Sequence, residues 1–318
     1  MRAAAIEACG LSKIFPGEIV GLSDLDLVVP AGVVYGLMGR NGSGKTTTLR
    51  LLLGLLRPSS GAARILGWDF WGAPRAVRSR VAYVSQTQQL PSALTLEELS
   101  YCLRRCNQRW EPSRAQTLAR RWELPWKRPL GCLSSGEQRK TAILLAFAAR
   151  PEVLILDEPA SGFDLVARRE LVDQIVDAIT QSDGCTVLLS THLIEDLERV
   201  AEHVGIIERG RMALSVRLED LLNQTRRVQV IFEEEGPPVE FAIPGAVKTW
   251  RSGSVVSAVV RWPHGGELEA LRASITARIE VFPTGLEEIF LELFGDEHES
   301  RGGESETRST GNGALKKL

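Results

Sequence analysis

Gly39-Arg40-Asn41-Gly42-Ser43-Gly44-Lys45-Thr46 decides the fold, because it fits the pattern G-x-x-x-x-G-K-[ST] of a phosphate-binding loop. Its glycines let backbone N–H groups converge on phosphate oxygens, and a following helix points its positive end at the same anions. Val33 to Met38 before the loop predicts a buried strand, and Thr46 to Leu56 after it predicts a helix. Strand, loop and helix in this order are the context that a P-loop requires. We therefore expect all eight residues to bind a nucleoside phosphate.

Three side chains at the end of this loop have distinct expected roles. Lys45 places a point charge beside the β and γ phosphates, the Thr46 hydroxyl ligates Mg²⁺, and Thr47 adds a further phosphate contact. The alternative is a glycine-rich turn with an incidental lysine. The predicted strand and helix on either side of the loop argue against that alternative.

A second element brings two carboxylates to the end of an apolar strand. Val153 to Leu156 predicts the strand, Asp157 and Glu158 follow it, and Pro159 ends its ladder of hydrogen bonds. We expect Asp157 to enter the Mg²⁺ shell, as in P-loop NTPases generally. The metal does not require Glu158 as a second carboxylate, so this residue is expected to polarise an attacking water. A surface pair of acids is the alternative, and the neighbouring P-loop makes the catalytic interpretation the stronger one.

The order of predicted elements favours an α/β fold. Buried strands at Val81 to Val84, Val153 to Leu156 and Thr186 to Leu189 alternate with helices, which predicts a mostly parallel sheet with ligands at the carboxyl ends of its strands. Ala3 to Ala8 and Ile19 to Val29 predict the strands of an N-terminal antiparallel β subdomain. Leu94 to about Trp126 is mostly helical in pattern. We therefore expect a helical subdomain, at about 94–132, inserted into the core.

The character of the chain changes near Arg226. Val228 to Phe232, Val239 to Ile243 and Val255 to Val260 predict strands, and Glu267 to Ala277 predicts a helix. We expect a nucleotide-binding domain over residues 1–225 and a small α+β accessory domain over residues 226–295. The polar stretch 296–318, rich in Gly, Ser, Glu and Arg, is expected to be disordered.

Composition excludes several classes of protein. The formal net charge of -2 argues against a nucleic-acid partner, which requires an excess of Lys and Arg. The longest apolar runs fall far short of the roughly 18 residues of a membrane span, and the N-terminus lacks the features of a signal peptide. Five cysteines without a CxxC pair predict reduced thiols in a cytosolic protein.

Leu133-Ser134-Ser135-Gly136-Glu137-Gln138, between the P-loop and the acidic strand, resembles the LSGGQ signature of ATP-binding cassette (ABC) proteins. With the P-loop and the Asp157-Glu158 pair in the right order, it identifies the chain as a member of that family over about residues 1–225. In the family, the signature of one subunit closes over the P-loop of another. The resemblance therefore implies that Ser134, Gly136 and Glu137 bind the nucleotide of a second cassette subunit, in a homo- or heterodimer.

Four further positions match the family. The resemblance makes Gln86 the Q-loop glutamine, which senses Mg²⁺ and faces the membrane partner, and Asp164 the aspartate of the D-loop Ser161-Gly162-Phe163-Asp164. It makes His192 the switch histidine that contacts the γ-phosphate. Phe15 matches the aromatic residue that stacks on adenine, usually a Tyr in the family. A core Phe is the alternative at that position.

The signature departs from the family pattern at two positions. Ser135 replaces a Gly, and Glu137 replaces a Gln and adds a negative charge near the anion. Ser134 and Glu137 are at capping-box spacing, so the Glu137 side chain can turn back onto the N–H groups of its own helix. We expect weakened rather than abolished binding in this half-site.

The function that the resemblance implies is that of a transporter ATPase. The chain would bind and hydrolyse Mg-ATP, work as a cytoplasmic subunit peripheral to the inner face of the cell membrane, and drive a separate membrane permease subunit. Thr284 to Phe290 is similar to a stretch that ends many export-type cassettes, which favours export. The alternative is a soluble cassette ATPase acting on ribosomes or DNA. Such proteins usually carry tandem cassettes, a long coiled coil or zinc modules, and none is visible here.

Overall fold

The computed structural model describes residues 3–87, 89–181, 184–192, 194–233, 237–238, 241–263 and 266–294. The chain forms two compact units, the first covering Met1–Ser215 and the second beginning at Val216. The stretch 296–318, expected to be disordered, lies outside the described residues.

The first unit contains nine strands and seven α-helices within the described ranges. In chain order the strands are β1 (Ala4–Phe15), β2 (Ile19–Pro30), β3 (Val34–Met38), β4 (Ser60–Ile65), β5 (Val81–Val84), β6 (Val153–Asp157), β7 (Thr186–Ser190), β8 (His203–Glu208) and β9 (Arg211–Arg217). The helices are α1 (Lys45–Leu52), α2 (Arg75–Arg78), α3 (Leu96–Cys106), α4 (Pro112–Arg121), α5 (Ser135–Ala148), α6 (Leu165–Gln181) and α7 (Ile194–Glu198). A short 3-10 helix covers Leu130–Cys132.

A six-stranded sheet in the order β5-β6-β7-β3-β8-β9 carries the P-loop and the acid pair. The strands from β5 to β8 pair in parallel. Every residue of β3, β6 and β7 is buried, as in parallel sheets covered on both faces. The predicted α/β fold with a mostly parallel sheet is therefore confirmed.

A separate three-stranded antiparallel sheet, in the order β2-β1-β4, packs on the same core. Leu22 and Leu27 of β2, Leu49 and Leu52 of α1, and Ile155 of β6 belong to one buried apolar cluster. Helix α1 is thus held between the two sheets. Strand β1 is longer than the predicted segment, because register shifts after Ala8 carry its pairing with β2 as far as Phe15.

Helix α1 ends four residues before the predicted end, at Leu52. Gly54 adopts a left-handed φ of +63°, and the N–H of Leu55 donates to the Arg50 carbonyl at 2.8 Å while that of Gly54 donates to the Leu51 carbonyl at 3.1 Å. This is a Schellman motif. A Cβ at Gly54 would lie 2.9 Å from the Trp71 backbone nitrogen, so the close approach also requires glycine.

The predicted helical stretch from Leu94 to Trp126 consists of α3 and α4, separated by residues 107–111. Thr95 caps α3 in a capping box with Glu98. Leu118 and Trp122 of this stretch are both buried. Between this stretch and the core, the Glu152 carboxylate accepts hydrogen bonds from Arg80 and, at 2.7 Å, from Arg109.

The second unit is built on a four-stranded antiparallel sheet in the order β11-β12-β10-β13. Its strands are β10 (Thr225–Ile231), β11 (Ala246–Ser252), β12 (Val255–Arg261) and β13 (Arg278–Pro283), and its helices are α8 (Leu218–Gln224), α9 (Glu267–Ser274) and α10 (Leu286–Phe294). Val228, Val256, Val260 and Leu271 share its apolar core.

The strand predicted at Val239 to Ile243 is wrong for residues 241–243, which lie in no strand, while Val239 and Glu240 fall outside the described residues. Ile243 is 2% exposed and packs into the core of the second unit, so the apolar pattern indicated burial rather than extended pairing. Strand β11 gave no periodic signal because most of its side chains are exposed or half-buried.

None of the helices within the described ranges combines the length and the apolar character needed to cross a bilayer. All five cysteines are free thiols.

Candidate nucleotide-binding site

The loop between β3 and α1 has a backbone that glycine makes possible. Gly39 is buried with φ +153°, and a Cβ there would lie 2.4 Å from the Ile207 carbonyl oxygen and 2.5 Å from the Ser43 Oγ. Gly44 has φ +115° and a Cβ there would meet Leu22 at 2.7 Å. The loop can therefore turn tightly at both ends and present its N–H groups at the start of α1.

The remaining loop residues lie at its outer tip. Arg40, Asn41 and Gly42 are exposed, and Thr47 is half-buried in the first turn of α1. Ser43 is different, because its Oγ is buried and has no hydrogen-bond partner among the described residues. A phosphate oxygen would supply that partner.

Lys45 is buried inside the loop, with 7% of its surface exposed. Its Nζ donates to the Gly39 carbonyl at 2.7 Å and lies 3.7 Å from the Glu158 Oε1. Burial lowers the pKa of Lys45, and the charges of Glu158 and Asp157 act in the opposite direction. The ammonium group is thus held beside the loop, with Glu158 as its nearby carboxylate.

Asp157 has one oxygen engaged and one open. Its Oδ1 accepts hydrogen bonds from Ser190 at 2.6 Å and from Thr46 at 3.2 Å. Its Oδ2 is buried and has no hydrogen-bond partner among the described residues. A buried carboxylate oxygen beside a threonine hydroxyl is the donor set that Mg²⁺ prefers, so these residues fit the metal.

Glu158 lies between Lys45 and His192. Its side chain is 6% exposed, and its Oε2 lies 2.6 Å from the His192 Nδ1. Its backbone has a left-handed φ of +49°, which costs a non-glycine residue about 1–3 kcal/mol and is typical of functional sites. The N–H of Glu158 donates to the Ser190 carbonyl at 2.9 Å, so strand β7 holds this conformation.

Phe15 lies at the end of β1 and is half-buried. A Cβ at Gly21 would lie 2.5 Å from the Phe15 ring, and a Cβ at Gly44 would lie 3.0 Å from the Gly21 carbonyl. Gly21 therefore lies between the Phe15 ring and Gly44 of the P-loop.

Two predicted positions, Gln86 and Asp164, have no hydrogen bond or ion pair to Asp157 or Lys45 within the part of the chain that the structure describes. The Gln86 side chain is exposed, and the Gln86 backbone carbonyl accepts a hydrogen bond from Arg139. The exposed Asp164 accepts a hydrogen bond from the Ala167 N–H at 2.8 Å, so it caps the start of α6.

The signature residues lie at the N-terminus of α5. Ser134 is its N-cap, Glu137 accepts from the Ser134 N–H at 2.7 Å, and the Glu137 N–H donates to the Ser134 Oγ at 3.2 Å. The predicted capping box is confirmed. The hydrogen bonds from Ser134 hold the pKa of Glu137 below its usual range. Gly136 is half-buried, and a Cβ there would meet no described atom within 4 Å.

Sequence reasoning missed three residues of this site. Gly21 provides the space for Phe15, Ser190 orients Asp157, and Arg139 bonds the backbones of Gln86 and Glu158. Ser190 lies two residues before His192, and Arg139 directly follows the signature stretch, so their places beside these motifs were the signal that could have suggested them.

A P-loop, a strand-terminal acid pair and a signature helix on this fold define an ATPase of the cassette class. The family described as "ABC transporter" matches residues 22–161. The chain is 30% identical to the ABC transporter ATP-binding protein YtrB of Bacillus subtilis (strain 168), over 91% of this chain and 98% of that protein. It is 32% identical to the Nod factor export ATP-binding protein I of Rhizobium johnstonii, over 93% of this chain and 96% of that protein.

A solved structure described as an ATP binding subunit of an ABC transporter superposes with a TM-score of 0.62 at 29% identity, over 69% of this chain and 92% of that one. The chain therefore belongs to the ATP-binding proteins of ABC transporters, and it is an ATP-binding, ATP-hydrolysing subunit of that family.

Proposed function

We propose that this chain binds Mg-ATP between its P-loop and its acid pair, hydrolyses it within a cassette dimer, and thereby drives a membrane permease that exports a substrate. The observation that carries the proposal is the meeting of Lys45, Asp157, Glu158 and His192 at the carboxyl ends of neighbouring strands. Ligands of open α/β sheets bind at this edge.

The metal would be held by Asp157 and Thr46, with Gln86 as a further ligand. The unpartnered Oδ2 of Asp157 supports the first two positions. The exposed Gln86 side chain would have to turn inward to join them. Bound Mg²⁺ supplies positive charge that offsets the charge developing on the β and γ phosphates.

In hydrolysis, Glu158 would accept the proton of the attacking water. Its buried carboxylate is oriented by His192 at one oxygen and lies beside Lys45 at the other, which supports this role because Lys45 is expected beside the γ-phosphate. His192 is exposed, and in this proposal it would contact the γ-phosphate. Lys45 would exchange Glu158 for the β and γ phosphates when the nucleotide binds.

The dimer would place Ser134, Gly136 and Glu137 of one subunit over the P-loop of the other, together with Asp164. These side chains are exposed or half-buried at the ends of α5 and α6, where a second subunit can reach them. Leu165 and Val166, directly after Asp164, are 80% and 69% exposed, as expected of an apolar surface that a second subunit covers. Such a closed pair would be two-fold symmetric if the subunits are identical.

The permease would bind where the core meets the helical stretch. In this region Leu96 is 1% exposed and is therefore buried inside the subunit, while Leu90 and Leu94 are half-buried. Trp71 and Tyr101 are 50% and 59% exposed on the two sides of this junction.

A hydrogen bond across the junction supports this surface. Arg75 joins the two sides of the junction by donating to the Cys106 carbonyl at 3.4 Å.

A membrane partner at this place would make the chain a peripheral protein of the inner face of the cell membrane. Export is supported by the similarity to a Nod factor export protein and by Thr284–Phe290, whose last residues begin α10.

The test combines hydrolysis with membrane association. Purified chain should release phosphate from Mg-ATP, and chain expressed in its native cells should co-purify with a polytopic membrane protein that changes the hydrolysis rate. Absence of phosphate release would refute the catalytic assignment. Hydrolysis without any membrane partner would instead favour the soluble cassette ATPase.

A further inference from the structure

Arg139 connects three elements of the site through a single side chain. It lies on α5, five residues beyond the signature serine Ser134, and its guanidinium group is half-buried. One nitrogen donates to the Glu158 carbonyl oxygen at 3.1 Å, and another donates to the Gln86 carbonyl oxygen. The signature helix, the Gln86 segment and the acid pair are thus joined by this side chain.

The hydrogen bond from Arg139 to the Glu158 carbonyl affects the orientation of the Glu158 side chain. Because Glu158 has a left-handed backbone, its side-chain direction depends on how firmly its two peptide groups are held. Strand β7 binds its N–H through the Ser190 carbonyl at 2.9 Å. Its carbonyl accepts from the Ser161 N–H at 3.2 Å and from Arg139. Arg139 therefore contributes a side-chain hydrogen bond that helps to hold the backbone of Glu158 in this conformation.

The charge of Arg139 suits the place. Burial lowers its pKa, and the nearby carboxylates of Asp157 and Glu158 act to raise it. A guanidinium group stays protonated under these conditions and presents its donors in a rigid planar fork. Two carbonyls from different segments can be bonded at once by such a fork, whereas an ammonium group on a flexible stem lacks the fixed spacing.

We propose that Arg139 is a positioning residue that sets the orientation of Glu158 and ties it to the position of the Gln86 segment. A shift of that segment or of α5 then displaces Glu158, so the catalytic carboxylate responds to both surfaces that meet other subunits. This inference rests on the proposed function, because it takes Glu158 as the base and those surfaces as subunit contacts.

The test compares three variants in the full-length chain: Arg139→Lys, Arg139→Ala and the neighbouring control Lys140→Ala. Steady-state hydrolysis of Mg-ATP should show kcat reduced about ten- to a hundredfold in both Arg139 variants, the cost of a small misplacement of a catalytic group. KM for Mg-ATP should stay within about threefold of the wild-type value, since the P-loop is untouched. The control should retain its kcat. Millimolar guanidinium, but not methylammonium, should restore part of the activity of Arg139→Ala.

Each contrary result has a definite meaning. Wild-type kcat in Arg139→Lys would overturn the role of the planar guanidinium fork. An equal loss of kcat in Lys140→Ala would show that the effect comes from losing any positive charge on this helix. Unfolding of both Arg139 variants would make the residue purely structural and also overturn the proposal. Glu158→Gln in the same assay separates the two levels. If it hydrolyses normally, the proposed function fails, whereas if it is inactive and the Arg139 variants are normal, only this inference fails.

Discussion

Replacing Glu158 by Gln tests the centre of the proposed mechanism, because the amide keeps the shape of the side chain and removes its basicity. In the structure the side chain is 6% exposed, with one oxygen 3.7 Å from the Lys45 Nζ and the other 2.6 Å from the His192 Nδ1. Substitution therefore leaves the packing in place and alters the charge at one defined point.

The expected loss can be bounded from the neighbouring groups. Removing a general base costs about 10²–10⁴ in rate, which corresponds to about 2.7–5.4 kcal/mol of activation free energy. Asp157 cannot take over, because its Oδ1 is bonded to Ser190 and Thr46 and its Oδ2 would be occupied by the proposed metal. We therefore expect a loss of about 10³-fold or more.

Nucleotide binding should not suffer in the same variant. Glu158 forms an ion pair with Lys45 in this structure. When ATP binds, phosphate oxygens must replace the Glu158 carboxylate beside the Lys45 ammonium group. Removing the competing carboxylate should leave Kd for Mg-ATP no weaker than that of the wild type, and the variant should accumulate as an ATP-bound dimer.

The assay pairs calorimetric titration of Mg-ATP with single-turnover phosphate release and size-exclusion chromatography. Glu219→Gln, which makes the same change on a residue of α8 whose side chain is 73% exposed, serves as the control. Hydrolysis by Glu158→Gln within threefold of the wild-type rate would refute the assignment of the base. Loss of ATP binding with normal folding would refute the account of Lys45.

Three further substitutions test other parts of the chain. Lys45→Ala should weaken Mg-ATP binding by about ten- to a hundredfold, the value of a charged hydrogen bond, and unchanged affinity in titration would contradict the P-loop assignment. Glu137→Gln keeps the capping box but removes a negative charge, so the ATP-induced dimer should tighten about two- to fivefold in analytical ultracentrifugation, and a weaker dimer would count against this account. Arg80 and then Arg109 hold the pKa of Glu152 below its usual range. The stability that this carboxylate contributes is therefore complete above about pH 4.3, and it is lost as the pH falls through the lower pKa of the folded state. Urea unfolding should thus show Glu152→Gln less stable by about 1 kcal/mol or less at pH 7 and equal to the wild type in strong acid, and a difference that persists there would contradict the linkage.

Much of the fold and of the site was accessible from local patterns. Apolar runs of four to six residues located β3, β5, β6 and β7. Every residue of β3, β6 and β7 is buried, and a strand covered on both faces is apolar over most of its length. Motifs located Lys45, Thr46, Asp157 and Glu158 for a similar reason, since a loop or a strand end that binds phosphate and metal uses neighbouring residues.

What the sequence determined by itself, then, was the class of fold, the order of its elements and the residues whose roles are set by short-range spacing. The tertiary structure alone decided the contacts between segments distant in the chain: His192 against Glu158, Ser190 against Asp157, and Arg139 between Gln86 and Glu158. These pairs are 19 to 53 residues apart. Their meeting depends on strand order and on the packing of α5 against the sheet, which no local pattern encodes, because side-chain reach is a few ångströms and the register of packed elements sets which groups fall within it.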